Sequence, residues 1–176
     1  MKKMKDKMHY MIDIETLSTD TNAHVLAIAM VKFTEKEVIK HQVLYPDPEI
    51  QHNTGRKIDF DTIKFWLKSP DLLKEIMEKP TKSLSFCSAH LRWFIDLTNY
   101  EQNIVWAKSP TFDLMIMRSL FSSPLLPWKF SNERDVRTAY DKLTEKGIEL
   151  TKPERAHDPL SDALAQVANV QKFLNL

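Results

Sequence analysis

Residues Val25 to Phe33 read VLAIAMVKF, a stretch that is β-branched and apolar on both faces of an extended chain. Such a strand must be covered from both sides, which predicts a buried, central place in a sheet. His9 to Glu15 reads as a shorter strand before it, and Ser18 to His24 between them is polar and rich in turn formers. The charged Glu35-Lys36-Glu37 looks like a turn into a third strand, Val38 to Tyr45, ended by Pro46 and Pro48. Three successive strands with short turns are most simply an antiparallel meander.

The remaining chain is different in kind. Helices are predicted over Asp61 to Leu67, Asp71 to Met77, Ser88 to Leu97, Thr111 to Phe121 and Ser131 to Leu143, with a short strand at Asn103 to Ala107. Asp158 to Leu174 is the clearest helix. Asp158 suits the N-cap, Pro159 the first helical position, and Leu160, Leu164, Val167, Val170 and Leu174 make an apolar stripe. Strands first, then helices alternating with a strand, predict an α/β domain whose mixed central sheet is flanked by helices. With 176 residues, 43% of them apolar, one domain over residues 1–176 is expected, residues 1–7 being a flexible basic tail.

Composition removes several function classes. Glycine occurs only at Gly55 and Gly147, so Gly-rich phosphate loops are absent. The lone Cys87 excludes an internal disulfide framework and a multi-cysteine metal site, and reads as a buried small hydrophobe. A formal charge of +1 gives no global field toward nucleic acid or membrane. The longest apolar run, Val25 to Val31, is far below the roughly 20 residues that span a bilayer. Lys2, Lys3, Lys5 and Lys7 precede no apolar stretch with a cleavage site, so an intracellular protein without membrane contact is expected.

The acidic residues are the informative ones. Asp13 and Glu15 are two apart on a strand, so both carboxylates point to one face while Ile12 and Ile14 point to the other. Like charges side by side need compensation, for which a divalent cation is the simplest agent; a solvated strand end is the plain alternative. Asp113 falls in the first turn of a predicted helix, where the helix dipole alone would favour it. Asp162 falls early in the last helix, four residues after Asp158 and five after His157.

Taken together these segments resemble the DEDDh 3′–5′ exonucleases, the ribonuclease T-like branch of the ribonuclease H-like fold. The motifs are Asp13-Ile14-Glu15-Thr16, then Phe112-Asp113, then His157-Asp158-Pro159-Leu160-Ser161-Asp162-Ala163. Asn132-Glu133-Arg134-Asp135-Val136-Arg137-Thr138 is similar to a feature of a small bacterial and phage subfamily, which includes a mycobacterial exoribonuclease and the T-even phage exonuclease A. Pro159 stands where the family usually has a small residue, a change the first helical position tolerates.

The resemblance implies hydrolysis of phosphodiester bonds at the 3′ end of single-stranded RNA or DNA. Asp13, Glu15, Asp113 and Asp162 would hold two divalent cations, Mg²⁺ or Mn²⁺, and His157 would act as general base. Thr16 and Leu17, just after the first motif, would contact the terminal nucleotide. Phe65 and Trp66 are candidates for base stacking, with core packing as the equal alternative for Trp66. Phe112 is structural or lines the pocket. Arg134 and Arg137 either brace the site through Asp135 or bind phosphate. A homodimer and a cytoplasmic place in a bacterial or phage-infected cell are further expectations. Two other readings stay open: a catalytically silent nucleic-acid-binding module, and an interaction protein whose acids are helix caps.

Overall fold

The computed structural model describes residues 8–121 and 126–176; the basic tail expected at residues 1–7 lies outside them. Five strands form one sheet: β1 (His9–Thr16), β2 (Val25–Phe33), β3 (Val38–Leu44), β4 (Ile104–Ala107) and β5 (Glu133–Asp135). Their order is β3-β2-β1-β4-β5. The meander expected for β1 to β3 is present, both pairings being antiparallel, whereas β4 runs parallel to β1 and β5 parallel to β4. The fold class is the mixed-sheet α/β one expected.

Helices cover both faces. They are α1 (Pro48–Asn53), α2 (Phe60–Trp66), α3 (Pro70–Met77), α4 (Leu84–Phe94), α5 (Asp113–Leu120), α6 (Val136–Glu145) and α7 (Pro159–Leu174). The period of two divides the core. Tyr10, Ile12, Ile14, Ile28 and Met30 pack with Leu91 and Phe94 of α4 and Leu114 and Met117 of α5. Met11, Ala29, Val31 and Phe33 pack on the other face with Val136 and Ala139 of α6 and Ala163, Val167 and Val170 of α7. Cys87 is buried in the first of these clusters. Among the described residues no helix is long and apolar enough to cross a membrane.

Three segments depart from expectation. Ser131 to Leu143 is not one helix: Glu133–Asp135 pairs with Val105 to Ala107 as β5, and α6 starts only at Val136. Asp135 sets that start, its carboxylate accepting the Arg137 N–H at 2.9 Å as an N-cap. Pro46 and Pro48 end a strand but also start a helix, because Asp47 accepts the Glu49 and Ile50 amides and Pro48 occupies the first turn of α1. The helix expected from Ser88 begins earlier, at Leu84, where Ser83 caps the Phe86 amide, and ends at Phe94 before Asp96 turns left-handed at φ 54°. Leu97 therefore lies outside α4 and is exposed.

Candidate active site

Asp13 and Glu15 project from the face of β1 that also carries Met11. Their cross-strand neighbours are Ala29 and Ala27, fully buried residues whose methyl groups leave room for two carboxylates. The β1–β2 register slips between Glu15 and Thr16, an irregularity that redirects the chain as it leaves the sheet. β4 pairs with β1 only as far as Met11, so the Ile14 amide is free of the ladder and donates instead to Asp113 Oδ1 at 3.3 Å. Asp113 is thereby brought from the first position of α5 to the end of β1.

α7 supplies the other side. Asp158 caps it by accepting the Ser161 amide at 2.9 Å, which fixes the helix start and the place of Asp162 one turn on. Asp162 Oδ2 accepts the His157 backbone N–H at 2.8 Å. His157 is left-handed at φ 65°, a conformation costly for a residue with a Cβ. That backbone turns the imidazole back over the strand: Glu15, His157 and Asp162 each bring a possible metal-ligand atom within 4.8 Å of the others. One turn beyond Asp162, the buried Gln166 donates through Nε2 to Asp13 Oδ1 at 2.7 Å.

Burial and mutual repulsion make this cluster hard to ionise. Burial, then the neighbouring Asp13, Asp162 and Asp113 carboxylates, push Glu15 up to about 10. Burial holds Asp13 well above the usual carboxylate range, with Asp113 adding to it. Asp113 is pushed up to about 7 by burial, against the pull of the amides it accepts and of Arg137. Asp162 is raised too, again chiefly by burial. Converging hard oxygen donors that cannot easily bear their charge alone fit a divalent cation.

A cavity of about 640 Å³ opens beside the cluster, lined by Glu15, Thr16, Thr19, Asp59, Phe60, Thr62, Phe65, Trp66, Phe112 and His157. Phe65 stands at its wall with 39% of its surface exposed, its ring edge-on to His157 at 4.8 Å between centroids. Phe112 lines the cavity and packs on the core at once. Trp66 reaches the wall but is 1% exposed and donates its indole N–H to Thr16 O at 2.8 Å, so core packing is its role and no ring face is open for a base. Leu17 is displaced from the expected place: it packs with Leu26, Trp66, Leu72 and Ile76 and faces a different cavity. The Thr16 hydroxyl donates to Ser18 O at 2.7 Å, which leaves its lone pairs for a ligand donor.

The arginine stretch also departs from expectation. Asp135 is occupied in capping α6, and among the described residues no ion pair joins it to Arg134 or Arg137. Arg137 donates to Lys108 O at the end of β4, and Arg134 to the Ser131 and Glu133 carbonyls. Glu133 is the acid that braces this edge, taking Arg118 and the Trp128 indole. Sequence reasoning missed Gln166, Thr19 and Phe60. Gln166 was findable, since it lies four residues after Asp162 and must share its helical face; Thr19 and Phe60 carry no such signal.

The chain is similar in fold to exonuclease I. Against the zinc-bound E. coli exonuclease I–single-stranded DNA complex it gives a TM-score of 0.71 at 17% identity, covering 95% of this chain and 40% of that one. A product-bound exonuclease I gives 0.68 at 16%, covering 97% and 44%. The enzyme from Methylocaldum szegediense gives 0.67 at 16%, covering 93% and 39%. The chain thus spans about two fifths of the length of these enzymes. No curated protein matches it in sequence. The chain thus shares the fold of exonuclease I, with an acidic cluster at the end of its first strand. Residues 8–174 match the Rv2179c-like 3′–5′ exoribonuclease domain, and the chain belongs to that family.

Proposed function

We propose that this protein removes nucleotides from the 3′ end of single-stranded nucleic acid, RNA by the name of its family, in a reaction that requires divalent cations. One observation carries the reading: Asp13, Glu15, Asp113, Asp162 and His157, drawn from β1, α5 and the start of α7, cluster beside an aromatic-walled cavity that Glu15 and His157 line. Single-stranded DNA is bound by the E. coli exonuclease I structures that share the fold, which supports a single-stranded substrate.

The four carboxylates would hold two cations, Mg²⁺ or Mn²⁺, whose chemistry when bound is to offset phosphate charge and make water more acidic. Gln166 orients the Asp13 carboxylate through its 2.7 Å hydrogen bond. Asp162 holds the His157 backbone, which aims the imidazole into the cavity to take the proton of the attacking water. Phe65 offers a ring face to the terminal base and Thr16 an acceptor to a sugar hydroxyl. Phe112 completes the cavity wall. Solvent-facing caps would not gather four acids and a strained histidine in one place, which weighs against the interaction-protein reading.

Asp13→Ala tests this directly. Hydrolysis of a 3′-hydroxyl RNA should fall below detection while the circular dichroism spectrum is unchanged. Retained activity would remove the mechanism as assigned.

A further inference from the structure

The outer surface of α4 bears a row of aromatic rings that the site above does not use. Phe86 and His90 stack at 5.6 Å with 16° between planes, and His90 meets Trp93 at 5.1 Å. Trp93 is 65% exposed and Phe86 45%, high values for such large apolar groups. His90 is held upright by Gln42 of β3 at 2.6 Å. Phe86 to Trp93 covers about 10 Å at the helical rise, room for about three bases at single-strand spacing.

Lysines border this row. Lys40 lies 4.2 Å over the Trp93 ring, Lys82 5.5 Å over Phe86, and Lys32 directly opposes Lys40 across β2 and β3. Like charges placed opposite one another weaken a sheet unless something compensates them. Among the described residues none of the three makes an ion pair. Asp96, whose carboxylate accepts from Thr98 and Asn99, each at 2.5 Å, lies near enough to offset part of the charge on Lys32 and Lys40 without forming an ion pair with either.

Short chain connections lead from the row toward the candidate active site. Lys82, just before α4, is pinned to the end of β3, its amide donating to Tyr45 O at 2.8 Å and its carbonyl accepting from Asp47 N at 2.9 Å. Tyr45, Pro46 and Thr81 line a groove of about 370 Å³ whose walls also include Leu17 and Ile58. Leu17 follows Thr16 and Ile58 precedes Asp59, both residues of the cavity beside the carboxylates.

We propose that this groove and the aromatic, lysine-bordered face of α4 form a track for the upstream part of a single-stranded nucleic acid whose 3′ end lies at the carboxylate cluster. Exposed rings with interleaved cations are what sequence-tolerant binding of unpaired bases and phosphates requires. A second copy of the chain fits less well, because a two-fold contact would set lysine-bordered face against lysine-bordered face. The inference rests on the exonuclease reading for its polarity.

The test compares 5′-labelled oligonucleotides of about 3 and about 12 nucleotides, lengths that fall short of and cover such a track. Both hydrolysis with Mn²⁺ and anisotropy-detected binding with chelator are measured, for wild type, a Phe86→Ala/Trp93→Ala variant and a Lys32→Gln/Lys40→Gln variant. The track predicts tighter binding of the longer oligomer, and a loss of about tenfold on it alone in the aromatic variant. The lysine variant should also show a shallower salt dependence on the longer oligomer. Equal affinity for both lengths, or equal losses on both, overturns the track. So does a shift from dimer to monomer in sedimentation without a length effect, which would make this face a self-association surface. Failure of the wild type to shorten either oligonucleotide with Mn²⁺ overturns the exonuclease reading, while the binding arm still decides the track.

Discussion

At Asp13 and Glu15, position alone decides the chemistry. Each faces an alanine across the sheet, so space for a carboxylate exists but little solvent to stabilise its charge. The folded protein therefore holds protons that the unfolded chain releases: Glu15 is raised to about 10 and Asp113 to about 7, against ordinary carboxyl values near 4. A raised folded value means that stability falls as pH rises from the unfolded value toward the folded one. Without metal, the melting temperature should drop between about pH 5 and about pH 8, and Mn²⁺ should recover most of the loss. A flat or rising profile in chelator, read by scanning fluorimetry, would contradict this. His157→Asn keeps a side chain that tolerates the left-handed backbone and removes the base, so the rate should fall by about 10²–10⁴ with metal affinity little changed. A loss of Mn²⁺ binding as large as that of Asp13→Ala, measured by calorimetry, would make His157 a ligand instead. The Asp13–Glu15 pair was legible because a period of two allows no other placement. Gln166 was legible only through its spacing of four from Asp162, since a lone glutamine in an amphipathic helix otherwise looks like surface.

At the scale of elements, α7 carries the site. Its start is fixed by the Asp158 cap and Pro159, both readable, but the approach to it is held by contacts that no local pattern reveals. The buried Asn169, in the third turn of α7, clasps the incoming loop by accepting the Thr151 amide at 2.7 Å and donating to its carbonyl at 2.8 Å. Arg155 ties the same loop to Glu75 of α3 at 2.7 Å. Asn169→Ala should cost about 1–3 kcal/mol through lost buried hydrogen bonds and lower the rate by loosening the His157 turn. Hydrogen exchange at Thr151 should speed up, and unchanged exchange with lost activity would refute the clasp. The strand β5 was illegible for a related reason. Glu133–Asp135 has no strand pattern of its own and is extended only because the β4 edge offers it hydrogen bonds. Long apolar elements such as β2 and α7 specify themselves, while short edge elements take their conformation from their neighbours.

The whole molecule is a sheet whose two faces carry different tasks. The face under α6 and α7 bears the carboxylates, and the face under α4 and α5 is filled by the larger apolar cluster. Parallel β4 beside antiparallel β1 and β2 brings Asp113 to the end of β1 across nearly 100 residues of chain, which pattern and motif order made legible where either alone did not. Trp66 shows where that legibility stops: it sits beside the first motif in space, yet packing turns it inward, while the half-buried Leu17 faces the neighbouring groove instead of the carboxylate cavity. The most direct test is degradation of 5′-labelled single-stranded RNA and DNA of one sequence with Mn²⁺, with Mg²⁺ and with chelator. A ladder shortening from the 3′ end in the metal lanes and absent with chelator is the predicted result, the faster polymer naming the preferred substrate. Intact label in every lane with folded protein, or a ladder that persists in chelator, would contradict the metal-dependent exonuclease.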